Sequence, residues 1–147
     1  MGAMAARAPE GPPAALEAAV SRVGDRWSLL VVDALLAGPR RFGGLQEDLP
    51  GVAPNVLSKR LKSLEAAGVV VARPYSRRPP RVEYQLTETG AELAGALRLL
   101  THWGATASPS SDAPHHATCG TTLEPRWYCP TCGEAVEGRD PDQLDYL

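Results

Sequence analysis

The sequence predicts a mainly α-helical fold with one small β-hairpin, of the α+β class, followed by a small separate C-terminal module. Apolar residues recur at helical spacing between residues 16 and 67, and the pattern changes to strict alternation in RVEYQLT at residues 81–87. All three cysteines lie between residues 119 and 132, beyond a linker rich in serine and proline. At 147 residues, of which 44% are apolar, the chain can form one ordinary domain and an appendage.

Two helices are predicted at the beginning of the folded region. Residues 16–23 (LEAAVSRV) place apolar side chains at helical spacing, and Gly24 ends this helix. Asp25 is positioned to cap a second helix that continues to Ala37. This second helix is apolar on nearly all sides, which indicates a central, buried position.

Two further helices follow, and the second of them is basic. RFGGLQEDL predicts a short helix, and Pro54 begins the next helix at its first position. In PNVLSKRLKSLEAAG, the residues Leu57, Leu61 and Leu64 form a buried stripe, and Gly68 is placed to end the helix. The polar residues that must face away from this stripe are Asn55, Ser58, Lys59, Lys62 and Ser63.

A hairpin and a last helix complete the domain. Residues 69–75 and 81–87 have the composition and period of strands. The intervening SRRPP predicts a loop that is too long for a tight two-residue turn. Thr87 or Thr89 is then expected to cap a helix that continues to about Trp103.

The apolar residues of the last helix form two adjacent stripes. One stripe is enough to dock a helix on a core, so the second predicts a partner surface, for which another copy of the same chain is the simplest partner. The alternative is a helix buried more deeply in its own monomer. The stripes consist of Leu93, Leu97 and Leu100, and of Ala96, Leu99 and Trp103.

The net charge of −2 hides a strong asymmetry along the chain. Residues 38–81 carry nine Lys or Arg against three acidic residues, a net charge of +6, whereas the segment from residue 105 onward has a net charge of −5. This asymmetry predicts a polyanion-binding face on the middle segment alone. A solvated charged surface is the alternative interpretation.

The predicted order of elements is that of a winged helix-turn-helix, in which one helix enters the DNA major groove. Both lysines of the chain lie on the helix that begins at Pro54, opposite its apolar stripe, and the hairpin carries arginines. Side chains at such positions reach base edges and phosphates. Arg60 can alternatively brace the fold, and Arg40 and Arg41 can cap a helix end. The predicted DNA-contacting residues are Arg40, Arg41, Asn55, Ser58, Lys59, Arg60, Lys62, Arg77, Arg78 and Arg81.

Four segments of the sequence are distinctive, namely GDRWSLLVV, GPRRF, LSKRLKSLEAAG and PPRVEYQLT. Together they closely resemble the HxlR family of bacterial winged-helix transcriptional regulators, and the resemblance covers residues 14–104. It implies a homodimer joined through the first and last helices, with two recognition helices reading a pseudo-palindromic operator in double-stranded DNA. The dimer-interface residues implied in this way are Leu16, Val20, Leu93, Leu97, Leu100 and Trp103.

The sequence departs from the family pattern at two positions. Many members carry a cysteine just before the first helix, and in some of them it senses electrophiles or oxidants. The corresponding residue here is Ala14, so we reject that sensing mechanism for this chain. Family members often cap the recognition helix with serine, whereas this chain has Ala53, which removes about 1 kcal/mol of capping.

Two short turns in the C-terminal module place candidate zinc ligands in pairs. His116 and Cys119 occur in HATCG, and Cys129 and Cys132 occur in CPTCG. Zinc favours four nitrogen and sulfur ligands in a tetrahedron, so the pattern predicts a structural zinc site without a place open for catalysis. His115 is the reserve ligand. The alternative is a redox pair of Cys129 and Cys132, which usually requires a βαβ setting that this sequence does not predict.

These patterns predict a transcriptional regulator, expected to act as a repressor or autoregulator, and not an enzyme. The alternatives are a zinc- or redox-responsive switch and a protein-interaction module built on the C-terminal extension. No segment predicts a signal peptide or a membrane span, so we expect a bacterial cytoplasmic protein associated with the nucleoid through DNA. No residue identifies a small-molecule effector. The predicted organisation is a disordered tail (1–13), a DNA-binding and dimerisation domain (14–104), a linker (105–114), a zinc-ribbon-like module (115–138) and an acidic tail (139–147).

Overall fold

The computed structural model describes residues 14–108 and 113–137. The chain divides into two compact units, one formed by residues 22–123 and the other by the described residues before 22 and after 123. The first unit contains the whole helix-turn-helix region and the hairpin. The predicted terminal tails lie outside the described residues.

The described elements are mainly helices with a small antiparallel hairpin, so the predicted fold class is confirmed. None of the helices in the described ranges has the length and apolar character needed to span a bilayer. In chain order the elements are α1 (Ala14–Val23), α2 (Arg26–Leu36), α3 (Phe42–Asp48), α4 (Pro54–Ala66), β1 (Val70–Arg77), β2 (Pro80–Leu86), α5 (Glu88–Ala91), α6 (Leu93–Ala107), β3 (Trp127–Cys129) and β4 (Glu134–Val136).

The ends of α4 follow from its sequence. Pro54 occupies the first turn, and Ala53 supplies no side-chain cap, as the sequence predicts. At the other end Gly68 adopts a φ of +72°, and its N–H donates to the carbonyl of Glu65. The N–H of Val69 donates to the carbonyl of Leu64, which completes a Schellman motif. This turn sends the chain directly into β1.

The core lies between α2, α3, α4 and the first residues of β1. Leu57, Leu61 and Leu64 of α4 are fully buried, which confirms the predicted stripe. They pack with apolar residues of the neighbouring elements, because α2 presents valines and leucines on several of its sides. The other core residues are Val23, Val31, Val32, Leu35, Leu45, Leu49, Val52, Val69, Val70 and Leu97.

The hairpin turn is tighter than the sequence predicts. Only Arg78 and Pro79, joined by a cis peptide bond, connect the two strands, so the prediction of a long SRRPP loop is wrong. Pairing continues to Arg77 and Pro80 because Pro80 is the first residue of its strand, where a missing N–H is tolerated. The register shifts between Pro74 and Ser76.

The last helix is divided and is longer than predicted. Thr87 caps α5 and accepts a hydrogen bond from the N–H of Gly90, but the helix is interrupted at Glu92. The second part, α6, passes Trp103 and continues to Ala107, into the segment predicted as a linker. The remainder of that segment, residues 109–112, lies outside the described residues.

Gly90 is required by a close approach between α5 and Val69, the residue just before β1. A Cβ atom at this position would lie 2.1 Å from the carbonyl oxygen of Val69, a backbone atom that already accepts from Thr87. We therefore expect Gly90→Ala to lower the free energy of unfolding by about 1–3 kcal/mol, since backbone must move to relieve the overlap. Urea denaturation followed by circular dichroism measures this change.

Gly43→Ala is the matched control. Gly43 lies in α3 and is exposed, and a Cβ atom added there would meet no other atom within 4 Å. Alanine should therefore raise the stability by up to about 1 kcal/mol through its higher helix propensity. Equal effects of the two substitutions would contradict the close approach at Gly90.

Candidate nucleic-acid interface

Helix α4 presents a polar face opposite its buried leucines. Because the leucines recur at intervals of four and three residues, the residues between them point away from the core. Asn55, Lys59 and Lys62 are exposed, and Ser58 is half-buried. Neither lysine has an ion-pair partner within the part of the chain that the structure describes. Both ammonium groups are therefore available to an anionic ligand.

Arg60, on the same helix, is engaged with the fold. Its Nε lies 3.1 Å from Oδ1 of Asp25 and is buried, although the geometry is that of an ion pair and not of an aligned hydrogen bond. Asp25 also caps α2, accepting from the N–H groups of Trp27 and Ser28, each at 3.1 Å. The predicted alternative for Arg60, bracing of the fold, is the one that its position favours.

Asp25 has a lowered pKa. Desolvation by burial acts to raise the pKa of this carboxyl, but hydrogen bonds from Ser28 and Trp27 and the charge of Arg60 outweigh it. The charged form therefore stabilises the folded state at neutral pH.

Three of the predicted arginines surround the turn of the hairpin. Arg77, Arg78 and Arg81 are all exposed. The shift in register between Pro74 and Ser76 lies on the β1 strand leading into the turn. Three cations thus lie near the two-residue tip of the wing, and their side chains can reach phosphates.

Arg40 and Arg41 connect the start of the helix-turn-helix to the wing. The main chain of Arg40 pairs with Tyr84 of β2 through two hydrogen bonds of 2.9 and 2.7 Å, which form an isolated antiparallel bridge beside the hairpin. The Arg40 side chain binds Asp48, with Nε 2.9 Å from Oδ2. The guanidinium of Arg41 stacks over the ring of Tyr75, 4.4 Å from its centroid.

Sequence reasoning missed these tyrosines and the acceptor Asp48. Tyr84 pairs with Arg40, which is distant in sequence, and Tyr75 lies at the register shift of β1. Helical and strand periods report only which face of one element is buried, so they carry no information about such partners.

The predicted dimer-interface residues fall into two groups. Leu97 is only 7% exposed and belongs to the core, and Leu93 is partly buried against it, because this stripe docks α6 on its own unit. Leu97 is therefore covered by its own unit, and its predicted role in a dimer interface stays a prediction. The remaining residues are exposed, and Trp103 is 70% exposed. The exposed group consists of Leu16, Val20, Leu100 and Trp103.

The candidate zinc ligands lie on two turns that belong to different units. His116 and Cys119 are close together, with Nδ1 3.2 Å from Sγ, and Cys129 and Cys132 occupy the turn between β3 and β4. Among the described residues, no three His, Cys, Asp or Glu side chains form a group that could hold a metal ion. The four-ligand zinc site stays a prediction.

The family of this protein follows from comparison with known sequences. Residues 22–112 match the family model for the HxlR-like helix-turn-helix. This chain belongs to the HxlR-like family. The resemblance inferred from the motifs is thereby confirmed.

Relatives of this HxlR-like protein are named as HTH-type transcriptional regulators. Rv3095 of Mycobacterium tuberculosis, an HTH-type transcriptional regulator, is 40% identical over 126 residues, which cover 83% of this chain and 79% of Rv3095. YtcD of Bacillus subtilis, also an HTH-type transcriptional regulator, is 36% identical over 90 residues, covering 61% and 71%. The protein is therefore a transcriptional regulator with a helix-turn-helix DNA-binding fold, which confirms that it is not an enzyme.

Solved structures of similar regulators share the fold. The crystal structure of ytcD matches with a TM-score of 0.60 at 35% identity, covering 63% of this chain and 94% of that one. The redox regulator HypR in its reduced form matches with a TM-score of 0.60 at 29% identity, covering 63% of this chain and 92% of that one.

The match to Rv3095 spans more of this chain than the family model does, so that similarity continues outside the helix-turn-helix region.

The Asp25 carboxylate makes the stability depend on acid pH. Because folding lowers its pKa, its contribution is present above the pKa of the unfolded chain and is lost as the pH falls through the pKa of the folded state. Asp25→Asn keeps an N-cap acceptor and removes the charge, so it should cost about 0.2–1 kcal/mol at pH 7. The difference from the wild type should begin to shrink near pH 4 and should disappear only below the lowered pKa of the folded state.

Chemical denaturation of both proteins between pH 3 and pH 7 measures this difference. If the wild type and Asp25→Asn differ in free energy of unfolding by the same amount across this range, the effect of the substitution is due to packing and not to charge.

Proposed function

We propose that this HxlR-like protein binds a pseudo-palindromic DNA operator as a homodimer and represses transcription by occupying it, including at its own promoter. The single observation that carries this proposal is the exposed polar face of α4, where two lysines without an ion-pair partner among the described residues lie opposite a fully buried leucine stripe. A protein of this kind acts where the chromosome is, in the cytoplasm and at the nucleoid.

The residues of α4 and the wing suit different parts of a DNA duplex. Asn55 lies in the first turn of α4, from which an amide can pair with the edge of adenine in the major groove. Lys59 and Lys62 lie one and two turns further along, within reach of guanine edges or phosphates. The wing arginines suit phosphates or a narrow minor groove, so they fix position more than they read sequence.

A second copy of the chain is the proposed partner for the exposed apolar side chains. Trp103 and Leu100 of α6, and Leu16 and Val20 of α1, are large apolar groups in contact with water. A two-fold dimer would bury them and would present two copies of α4 to successive major grooves, about one helical turn apart. The operator would then have the two-fold symmetry of the protein.

A redox- or zinc-responsive form of this regulator is the second candidate. HypR, one of the similar solved structures, is a redox regulator. The three cysteines of this chain all lie in the C-terminal module, outside the helix-turn-helix. Operator affinity that falls on oxidation or zinc removal and returns on reversal, with an intact helical spectrum, would favour this candidate. An operator affinity that does not change would favour a repressor that responds to neither oxidation nor zinc.

Substitution of the α4 lysines tests the DNA surface. Lys59→Ala and Lys62→Ala should each weaken binding to DNA fragments selected from the genome by the purified protein. Each should also reduce the slope of log affinity against log salt by about 1, because a phosphate contact and its released counterion are lost. Fluorescence anisotropy at several salt concentrations gives both quantities.

Arg98→Ala is the matched control, since Arg98 is an exposed cation on α6 and its substitution removes the same charge away from the proposed surface. Its salt slope should equal that of the wild type. Identical slopes for all three variants would refute the placement of α4 on DNA.

Removal of Trp103 tests the dimer. Trp103→Ala should weaken self-association by roughly tenfold or more, because a buried tryptophan is a frequent hot spot of interface energy. Sedimentation equilibrium measures the dissociation constant. Trp127→Ala removes another exposed tryptophan, in the C-terminal module, and should leave the constant unchanged. A monomeric wild type, or equal effects of the two variants, would contradict the proposed interface.

A further inference from the structure

We propose that the stacked pair Arg41 and Tyr75 forms a further phosphate contact of the DNA surface, in which Tyr75 is a positioning residue that holds the Arg41 guanidinium ready for a DNA phosphate. The adjacent Arg40 serves the fold instead. This inference rests on the proposed DNA-binding function and deepens it, since it assigns a role in DNA binding to Tyr75 and separates the roles of two neighbouring arginines.

The two adjacent arginines have different surroundings. The Arg40 side chain is half-buried, and its Nε lies 2.9 Å from Oδ2 of Asp48, so its charge is paired within the fold. Its Nη1 also donates to the carbonyl of Pro39 at 3.2 Å. Arg41 is exposed and has no ion-pair partner among the residues that the structure describes. Because its contact is with an uncharged ring, its charge remains available to an anion.

Extended backbone directs the two side chains to different partners. The main chain of Arg40 pairs with Tyr84 of β2, and Arg41 continues in an extended conformation, with a φ of −78° and a ψ of 162°, before α3 begins. Successive side chains of an extended chain point to opposite sides. The Arg40 side chain therefore contacts Asp48 of α3, while the Arg41 side chain contacts the wing strand β1.

An irregularity in β1 accompanies the contact between Tyr75 and Arg41. The register of the hairpin shifts between Pro74 and Ser76, which leaves Tyr75 without a cross-strand partner. An extra residue of this kind bends its strand and re-aims a side chain. The guanidinium carbon of Arg41 lies 4.4 Å from the centroid of the Tyr75 ring. Within the described residues the Tyr75 hydroxyl makes no hydrogen bond, so the ring is the part that makes this contact.

Stacking on a ring suits an arginine to a phosphate contact. The planar guanidinium uses its face for the ring, so the N–H groups on its edge stay free to donate to two phosphate oxygens. The ring also restricts a long side chain, which otherwise loses its rotamer freedom when DNA binds. Arg41 on Tyr75 is thus a preformed donor on a segment, residues 38–81, with a net charge of +6.

The pair lies between the elements that we propose to contact DNA. Arg41 immediately precedes α3, the first helix of the helix-turn-helix, and Tyr75 lies two residues before Arg77 at the tip of the wing. Both residues belong to the same compact unit, so their contact joins the helix-turn-helix to the wing. A cation held between these two elements is placed for the DNA backbone that runs between a groove-bound helix and a wing.

The test measures the binding of full-chain variants to the DNA fragments selected from the genome, by fluorescence anisotropy at several salt concentrations. Arg41→Ala should weaken binding by roughly tenfold or more and reduce the slope of log affinity against log salt by about 1, because a phosphate contact is lost. Tyr75→Leu should weaken binding by about two- to fivefold, because the cation is kept but no longer held. Tyr75→Phe keeps the ring and should bind like the wild type.

Arg40→Ala is the matched control, since it removes the same charge one residue away. Its salt slope should equal that of the wild type. The double variant Arg41→Ala with Tyr75→Leu should bind no more weakly than Arg41→Ala alone, because Tyr75 acts through Arg41. A purely structural role of Tyr75 in the wing would instead weaken binding further in the double variant, and this result would overturn its assignment as a positioning residue.

Two other results would overturn the proposal, namely a wild-type salt slope in Arg41→Ala and equal losses of affinity in Tyr75→Phe and Tyr75→Leu. Lys59→Ala in the same assay separates these results from a failure of the proposed function. If Lys59→Ala weakens binding and Arg41→Ala does not, only the Arg41 contact is refuted. A wild-type chain without affinity for DNA would overturn both proposals.

Discussion

Burial of three leucines on α4 is the constraint on which the arrangement of the DNA-binding region depends. Leu57, Leu61 and Leu64 are fully removed from water, which contributes roughly 2 kcal/mol for each side chain and fixes the rotation of the helix about its axis. Once that rotation is fixed, the polar residues of α4 must point away from the core. The polar face of α4, which we propose as the DNA surface, lies opposite the core. The packing that stabilises the domain therefore also sets the direction in which its lysines point.

The basic residues of the same helix have different surroundings. Lys59 and Lys62 are free of ion pairs within the described residues, whereas Arg60 between them is held by the carboxylate that caps α2. The Asp25–Arg60 contact joins the start of one helix to the middle of another. One cation of the basic segment thus stabilises the fold, and its neighbours remain available.

The elements that the sequence predicts well are those defined by local chemistry. Asp25 as a cap, Pro54 at a helix start and Gly68 at a helix end are confirmed because each acts within a few residues of its own position. The turn at Arg78–Pro79 and the interruption at Glu92 were missed because they depend on strand pairing and on docking against the core. Leu97 shows the same limit for the candidate site, since helical spacing identifies an apolar stripe but not which partner covers it.

The main-chain pairing of Arg40 with Tyr84 has a consequence for how operators are distinguished. Two backbone hydrogen bonds tie the segment before α3 to β2, so they restrain movement of the wing relative to the helix-turn-helix. If α4 and the wing residues Arg77 and Arg78 bind DNA as proposed, this restraint limits how far the distance between their two contacts can change. Duplexes whose groove width matches that distance would then bind without deformation, whereas stiffer or wider sequences would have to be bent to fit. Under the proposed function, the pairing would make binding depend on the shape of the DNA as well as on its bases.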